Sequence, residues 1–157
     1  MDENNFSHWL AGLVDGEGSF QLHLSTDNRN NVSRYRTAFK LGLRSDDGLT
    51  LLYIYETLKI GRLYQFASKV NQGGSVSKPG IVFEVGNKAD CTRLVNILEG
   101  KLHSKKASEF IIWAEAVRLI NQYGAGQRSF VLNRLGQIKE ELHYLKRFDE
   151  VKSEYSF

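Results

Sequence analysis

The chain has 157 residues, 41% of them apolar, a formal net charge of +3 and a single cysteine. That length suffices for one hydrophobic core, so residues 1–157 are expected to act as one domain. Cys91 alone excludes an internal disulfide and a cysteine-built zinc site, no apolar run reaches the roughly 20 residues that cross a bilayer, and so modest a charge makes any nucleic-acid reading depend on where Lys and Arg sit. The acidic start Met1-Asp2-Glu3-Asn4-Asn5 is unlike a secretory or organellar leader. The expectation is an intracellular protein of a bacterial or archaeal cytoplasm or an organelle interior.

The first element is a short helix from Phe6 to about Val14, apolar almost all round and so expected to be buried on more than one side. Asp15-Gly16-Glu17-Gly18 follows, where glycines at φ > 0 are expected to close the helix. Ser19–Thr26 alternates, with Phe20, Leu22 and Leu24 on one face and Gln21, His23 and Ser25 on the other. The turn residues from Thr26 to Asn31 make this the first half of a hairpin. The return strand, about Ser33 to Arg44, sets Tyr35, Thr37, Phe39, Leu41 and Leu43 against Arg34, Arg36, Lys40 and Arg44. A helix near Leu49–Leu58 comes next.

The order then repeats: a strand near Gly61–Phe66, a turn at Gln72-Gly73-Gly74-Ser75, a strand near Ile81–Val85 and a helix near Asp90–Leu98. Two longer helices finish the chain, about Lys105 to Gln122 and Phe130 to Lys146. The pattern αββαββα with extra C-terminal helices predicts an α+β fold with a four-stranded antiparallel sheet. Helices cover one face of the sheet and the other stays polar.

That polar face carries a basic stripe of Arg34, Arg36, Lys40 and Arg44 beside Gln21, His23 and Ser25, extended by Arg62 and Tyr64 from the third strand. A twisted antiparallel ribbon can enter the DNA major groove, where Arg reads guanine, Gln reads adenine, and Lys and Arg hold phosphates. The same pattern also fits an ordinary solvated sheet face. Two further charge clusters oppose a helix dipole: Asp15 and Glu17 at the end of the first helix, and Lys105 and Lys106 in the first turn of a later one. A cation at the first and a phosphate at the second would offset those costs; a polar cap and two exposed surface lysines are the plainer alternatives.

The string Leu10-Ala11-Gly12-Leu13-Val14-Asp15-Gly16-Glu17-Gly18, continuing into Ser19-Phe20, closely resembles the LAGLIDADG motif of homing endonucleases. It departs in Val14, Gly16 and Glu17. Later stretches are similar to family landmarks in their usual order: Phe39-Lys40-Leu41-Gly42-Leu43, Leu58-Lys59-Ile60-Gly61-Arg62-Leu63, and Ser104-Lys105-Lys106 before a helix. The resemblance covers about residues 6–120.

The resemblance implies a site-specific endonuclease that makes staggered double-strand cuts with 3′ overhangs in duplex DNA, using Mg²⁺ or Mn²⁺. One motif per chain implies a homodimer whose motif helices meet at the two-fold axis, through Leu10, Ala11, Gly12, Leu13 and Asp15, and therefore a nearly palindromic target. Glu17 is implied as the direct metal ligand with the Gly16 carbonyl, and Lys106 as the basic residue of the active site, with Lys105 on DNA. Asp15 is expected to bond backbone at the helix ends across the interface. Where some homodimeric members carry Gln on the second strand, this chain has Leu43, which leaves the water-positioning role unassigned, with Gln21 and Lys40 as the candidate substitutes. An intron-RNA maturase and a non-cleaving DNA-binding regulator remain open on the same fold; retention of Glu17 weighs against the second.

Overall fold

A computed structural model describes residues 1–124 and 128–147 of the chain. The first helix, α1 (Glu3–Glu17), opens on Asp2, whose carboxylate accepts from the Asn5 amide at 2.8 Å. It runs beyond both expected ends, so Asp15, Gly16 and Glu17 form its last turn. Its closure differs from expectation as well. Gly18 is extended, at φ −72° and ψ 150°, and no positive φ ends the helix. Gly18 is needed for space instead: a Cβ there would lie 2.7 Å from Val14 Cγ1, 2.8 Å from the Val14 carbonyl oxygen and 3.1 Å from the Phe39 ring.

Strand β1 (Gly18–Asp27) starts on that residue and pairs with β2 (Val32–Arg44) across a turn with Asn31 at φ 51°. A 3₁₀ turn at Ser45–Asp47 leads into α2 (Gly48–Leu58), which ends on Lys59 in the left-handed region. Strands β3 (Arg62–Phe66) and β4 (Gly80–Val85) follow, then α3 (Lys88–Leu98) behind its Asn87 cap, α4 (Lys106–Tyr123) and α5 (Ser129–Arg147). The sheet is antiparallel throughout, in the order β1-β2-β4-β3.

One face of the sheet supplies Phe20, Phe39, Leu41, Phe83 and Val85 to the core, all 0% exposed. Against it pack the apolar sides of α2, α3, α4 and α5, through residues such as Ile54, Leu94, Trp113 and Ile138. The helix α1 contributes Phe6, Leu10, Ala11 and Val14, a stripe at helical spacing. The covered face and bare face match the expected α+β arrangement. No helix among the described residues is long and apolar enough to cross a membrane.

Candidate active site and nucleic-acid interface

The strand register decides which polar residues share the uncovered face. Ser19, Gln21, His23 and Ser25 lie opposite Lys40, Ala38, Arg36 and Arg34. Lys40 and Arg44 lie opposite Glu84 and Gly80 on β4, and Arg62 and Tyr64 lie opposite Glu84 and Val82. All nine sheet residues expected on this face are therefore brought together. Along β1 the side chains also link to one another: Gln21 donates to the Ser19 hydroxyl at 3.2 Å, and His23 Nε2 meets Gln21 Oε1 at 2.9 Å.

Glu84, which the strand pattern did not single out, stands in the middle of the stripe. Its carboxylate is 3.4 Å from Lys40 Nζ and 2.9 Å from Arg62. Burial works to raise the Glu84 pKa, but the Arg62 and Tyr64 hydrogen bonds and the Lys40 charge hold it below the usual range. Lys40 is the reverse case. Burial would lower it, while Tyr64 and Glu84 hold its ammonium above the ordinary value. Arg62 also lies 5.6 Å over the Tyr64 ring, and Arg44 pairs with Asp46 at 2.8 Å. Arg34 and Arg36 make no ion pair among the described residues. They line an open concavity of about 610 Å³ with Arg62, Glu84 and the Gly86–Lys88 turn. The unpaired positive charge thus concentrates at the β2 end of the face, beyond the end of β4.

The α1 terminus is tied to the turn before α4. Asp15 accepts from the His103 amide at 3.0 Å, the Ser104 amide at 3.1 Å and the Ser104 hydroxyl at 2.7 Å. Burial would raise its pKa; the Ser104 hydroxyl and the two amides prevail and lower it. These bonds are made within the chain rather than across an interface, because Asp15 points back toward the 103–104 segment of its own fold. The Ser104 hydroxyl oxygen also accepts from the Lys106 amide at 3.1 Å. Lys106 is thereby held beside the motif it was expected to serve, on the first residue of α4, with Lys105 at the cap position. Glu17, exposed at the other side of the same turn, has no hydrogen bond or ion pair among the described residues.

The expected contact set on α1 divides. Leu10 and Ala11 are 0% and 1% exposed in the chain's own core, so they have no surface to offer another chain. The outward stripe is Trp9, Gly12, Leu13 and Gly16, and a Cβ at Gly12 or Gly16 would meet nothing within 4 Å. Near this stripe, Trp9 and Tyr53 from α2 stack edge to face at 5.8 Å.

A family model described as LAGLIDADG endonuclease matches residues 10–117. The chain belongs to that family. It is 29% identical over 152 residues to the protein named probable intron-encoded endonuclease 3 of Neurospora crassa, covering 94% of this chain. It is 24% identical to probable intron-encoded endonuclease Cox1-I1b of Schizosaccharomyces pombe, covering 96%. The chain spans only 26% and 36% of the lengths of those two fungal proteins.

Solved LAGLIDADG structures share its fold. The archaeal intron-encoded homing endonuclease I-Vdi141I, complexed with DNA, has a TM-score of 0.73 at 23% identity, over 92% of this chain and 86% of its own. The LAGLIDADG meganuclease I-AabMI, bound to uncleaved DNA, has a TM-score of 0.70 at 24% identity, over 87% of this chain and 44% of its own. The family match spans the motif helix α1, the whole sheet and the Lys106 turn.

Proposed function

We propose that the chain is a homing endonuclease: paired two-fold with a second copy, it makes a staggered double-strand break in a long, nearly palindromic DNA target by metal-dependent phosphodiester hydrolysis. The observation that carries this reading is the position of Glu17. An exposed carboxylate with no side-chain partner among the described residues ends α1 one residue before β1, the strand that carries Gln21 and His23 onto the basic face. One polypeptide joint thus links a candidate hydrolytic centre to a candidate reading surface.

Among the described residues no group of His, Cys, Asp or Glu gathers to hold a metal by itself. That fits Mg²⁺ or Mn²⁺, since a hard cation of this size is bound through one or two carboxylates, with substrate phosphate oxygens and water completing the shell. Glu17 and the Gly16 carbonyl would supply this chain's share. When bound, such an ion polarises the scissile phosphate and eases deprotonation of an attacking water. Lys106 brings positive charge toward the same phosphate, Arg34 and Arg36 hold the flanking backbone, and Gln21 and His23 face base edges. Asp15 has a positioning role, fixing the Lys106 turn against the motif helix.

Self-association is supported by the outward stripe of α1. Gly12 and Gly16 leave room for a second backbone, and the neighbouring exposed apolar residues Trp9, Leu49, Leu52 and Tyr53 continue the surface. The likeness to DNA-bound LAGLIDADG endonucleases supports the choice of ligand, and an intracellular site of action follows from a genomic target. Residues 1–157 act on this reading as one functional unit.

Cleavage selection on a randomised duplex library, run in Mg²⁺ and in Ca²⁺, tests the proposal. The expected result is site-specific double-strand cuts in Mg²⁺ and binding alone in Ca²⁺. Specific binding without cuts in either ion would replace the endonuclease with a DNA-binding regulator, and no duplex binding would point to intron RNA as the ligand.

A further inference from the structure

Glu109 lies in the first turn of α4 with 0% exposure, and neither carboxylate oxygen has a hydrogen-bond partner. Burying a carboxylate this way is unfavourable unless opposite charge stands close by, and an apolar side chain of similar size would pack there at lower cost. Two cations converge on it. Lys106 Nζ is 3.6 Å from Glu109 Oε2, an ion pair at a distance too long for a hydrogen bond. The lysine side chain keeps 17% of its surface while that of the acid keeps 1%.

The second cation comes from α5. Lys146 donates to the Phe20 carbonyl at 2.5 Å, bracing α5 against β1 just after the motif. Burial lowers its pKa first; attraction to Glu109 and repulsion from Lys106 are the next influences, so the three charges form one cluster. Lys106 therefore has two anchors. Its amide is held through Ser104 to Asp15 on the motif helix, and its ammonium is held from beneath by Glu109.

We propose that Glu109 is the positioning residue for Lys106, holding its ammonium beside the motif. This rests on the endonuclease reading above. Glu109 touches no substrate; it acts by limiting where the Lys106 ammonium can go. The charged groups around Lys106 are Glu109 on its own helix, Lys146 on α5, Asp15 on α1 through Ser104, and His103 and Lys105 on the preceding turn.

The test uses the full chain with ¹⁵N-lysine, following the position of the Lys106 ammonium resonance, together with single-turnover cutting of the library-selected duplex in Mg²⁺. Glu109→Gln keeps the shape and removes the charge. It is expected to displace the Lys106 ammonium resonance and to slow cutting by about 10- to 100-fold, with affinity in Ca²⁺ unchanged. Glu109→Asp keeps the charge and restores part of the rate. Combined with Lys106→Met, Glu109→Gln adds no further loss, because both act through one ammonium. Should Glu109→Gln fail to fold, Glu109→Asp serves instead, and its shorter stem displaces the Lys106 resonance and slows cutting by less than about tenfold.

An unmoved Lys106 resonance in every variant overturns the proposal. So does cutting by Glu109→Gln at the wild-type rate, which leaves the endonuclease reading standing. A wild-type chain that cuts no duplex removes both together.

Discussion

Asp15 and Ser104 are 89 residues apart in sequence, yet the Asp15 carboxylate and the Ser104 hydroxyl lie 2.7 Å from each other. This contact, with the two amide bonds beside it, makes the end of α1 and the start of α4 a single unit. Glu17 and Lys106 belong to that unit from opposite ends of the chain.

Asp15 titrates below its ordinary value of 3.8, burial being outweighed by the Ser104 and His103 hydrogen bonds. A folded pKa below the unfolded one stabilises the native state fully above the ordinary value, and that contribution is lost as pH falls through the lower folded value. Asp15→Asn is expected to cost about 1–2 kcal/mol at pH 7 in urea denaturation. The gap to wild type should close as pH falls below 3.8 and through the lower folded value. A gap that stays constant with pH would show that the charge is not what these donors prefer.

Glu17→Gln should abolish cutting in Mg²⁺ while target affinity in Ca²⁺ is kept, since the side chain has no structural partner to lose. Undiminished cutting by this variant would remove Glu17 from the metal site.

On the sheet, Glu84 pairs with Lys40 and Arg62, two cations that on the proposed reading would meet phosphates. Glu84→Gln should raise general DNA affinity and steepen its dependence on salt. Arg34→Ala and Arg36→Ala, at unpaired positions, should each reduce the logarithmic slope by about one. Anisotropy titrations at several salt concentrations read all three. Equal slopes across the set would argue against DNA on this face.

Two glycines of the motif should behave in opposite ways. Gly18→Ala forces a Cβ to within 2.7 Å of Val14 and should destabilise the fold, by about 1–3 kcal/mol. Gly12→Leu meets open space within its own chain, so the fold should be as stable as before or more so. Its predicted defect is in pairing: sedimentation should show a dimer for the wild type and a monomer for this variant. A dimeric Gly12→Leu would move the interface elsewhere.

Burial pushes the Cys91 thiol up to about 11. In the native protein it should resist maleimide at neutral pH and react only on denaturation.

The elements were legible because the hydrophobic period changes cleanly between 2 and 3.6 along the chain. Phe20, Phe39 and Leu41 alternate with polar residues, and Phe110, Trp113, Val117 and Ile120 follow helical spacing. The reading of α1 failed where period carries no information. A helix apolar nearly all round does not say which side faces its own core: Leu10 and Ala11, expected at a contact with a second copy, are buried within the chain, while Trp9, Gly12 and Gly16 are exposed. Glu84 and Glu109 were missed for another reason. Each looks like an ordinary surface acid locally: the meaning of Glu84 depends on Arg62, 22 positions away across β3–β4, and that of Glu109 on its complete burial, which an acid three residues from Lys106 in a first helical turn does not announce.

The crowding at Gly18 has a consequence for target choice. With no slack between Val14 and Phe39 at that joint, the motif helix cannot swing relative to the first strand, so Glu17 and Gln21 keep a constant offset. On the proposed activity, substitutions on the sheet can change which bases are preferred without moving the scissile bond relative to them. Read-out can then drift over evolutionary time while the length of the overhang stays the same.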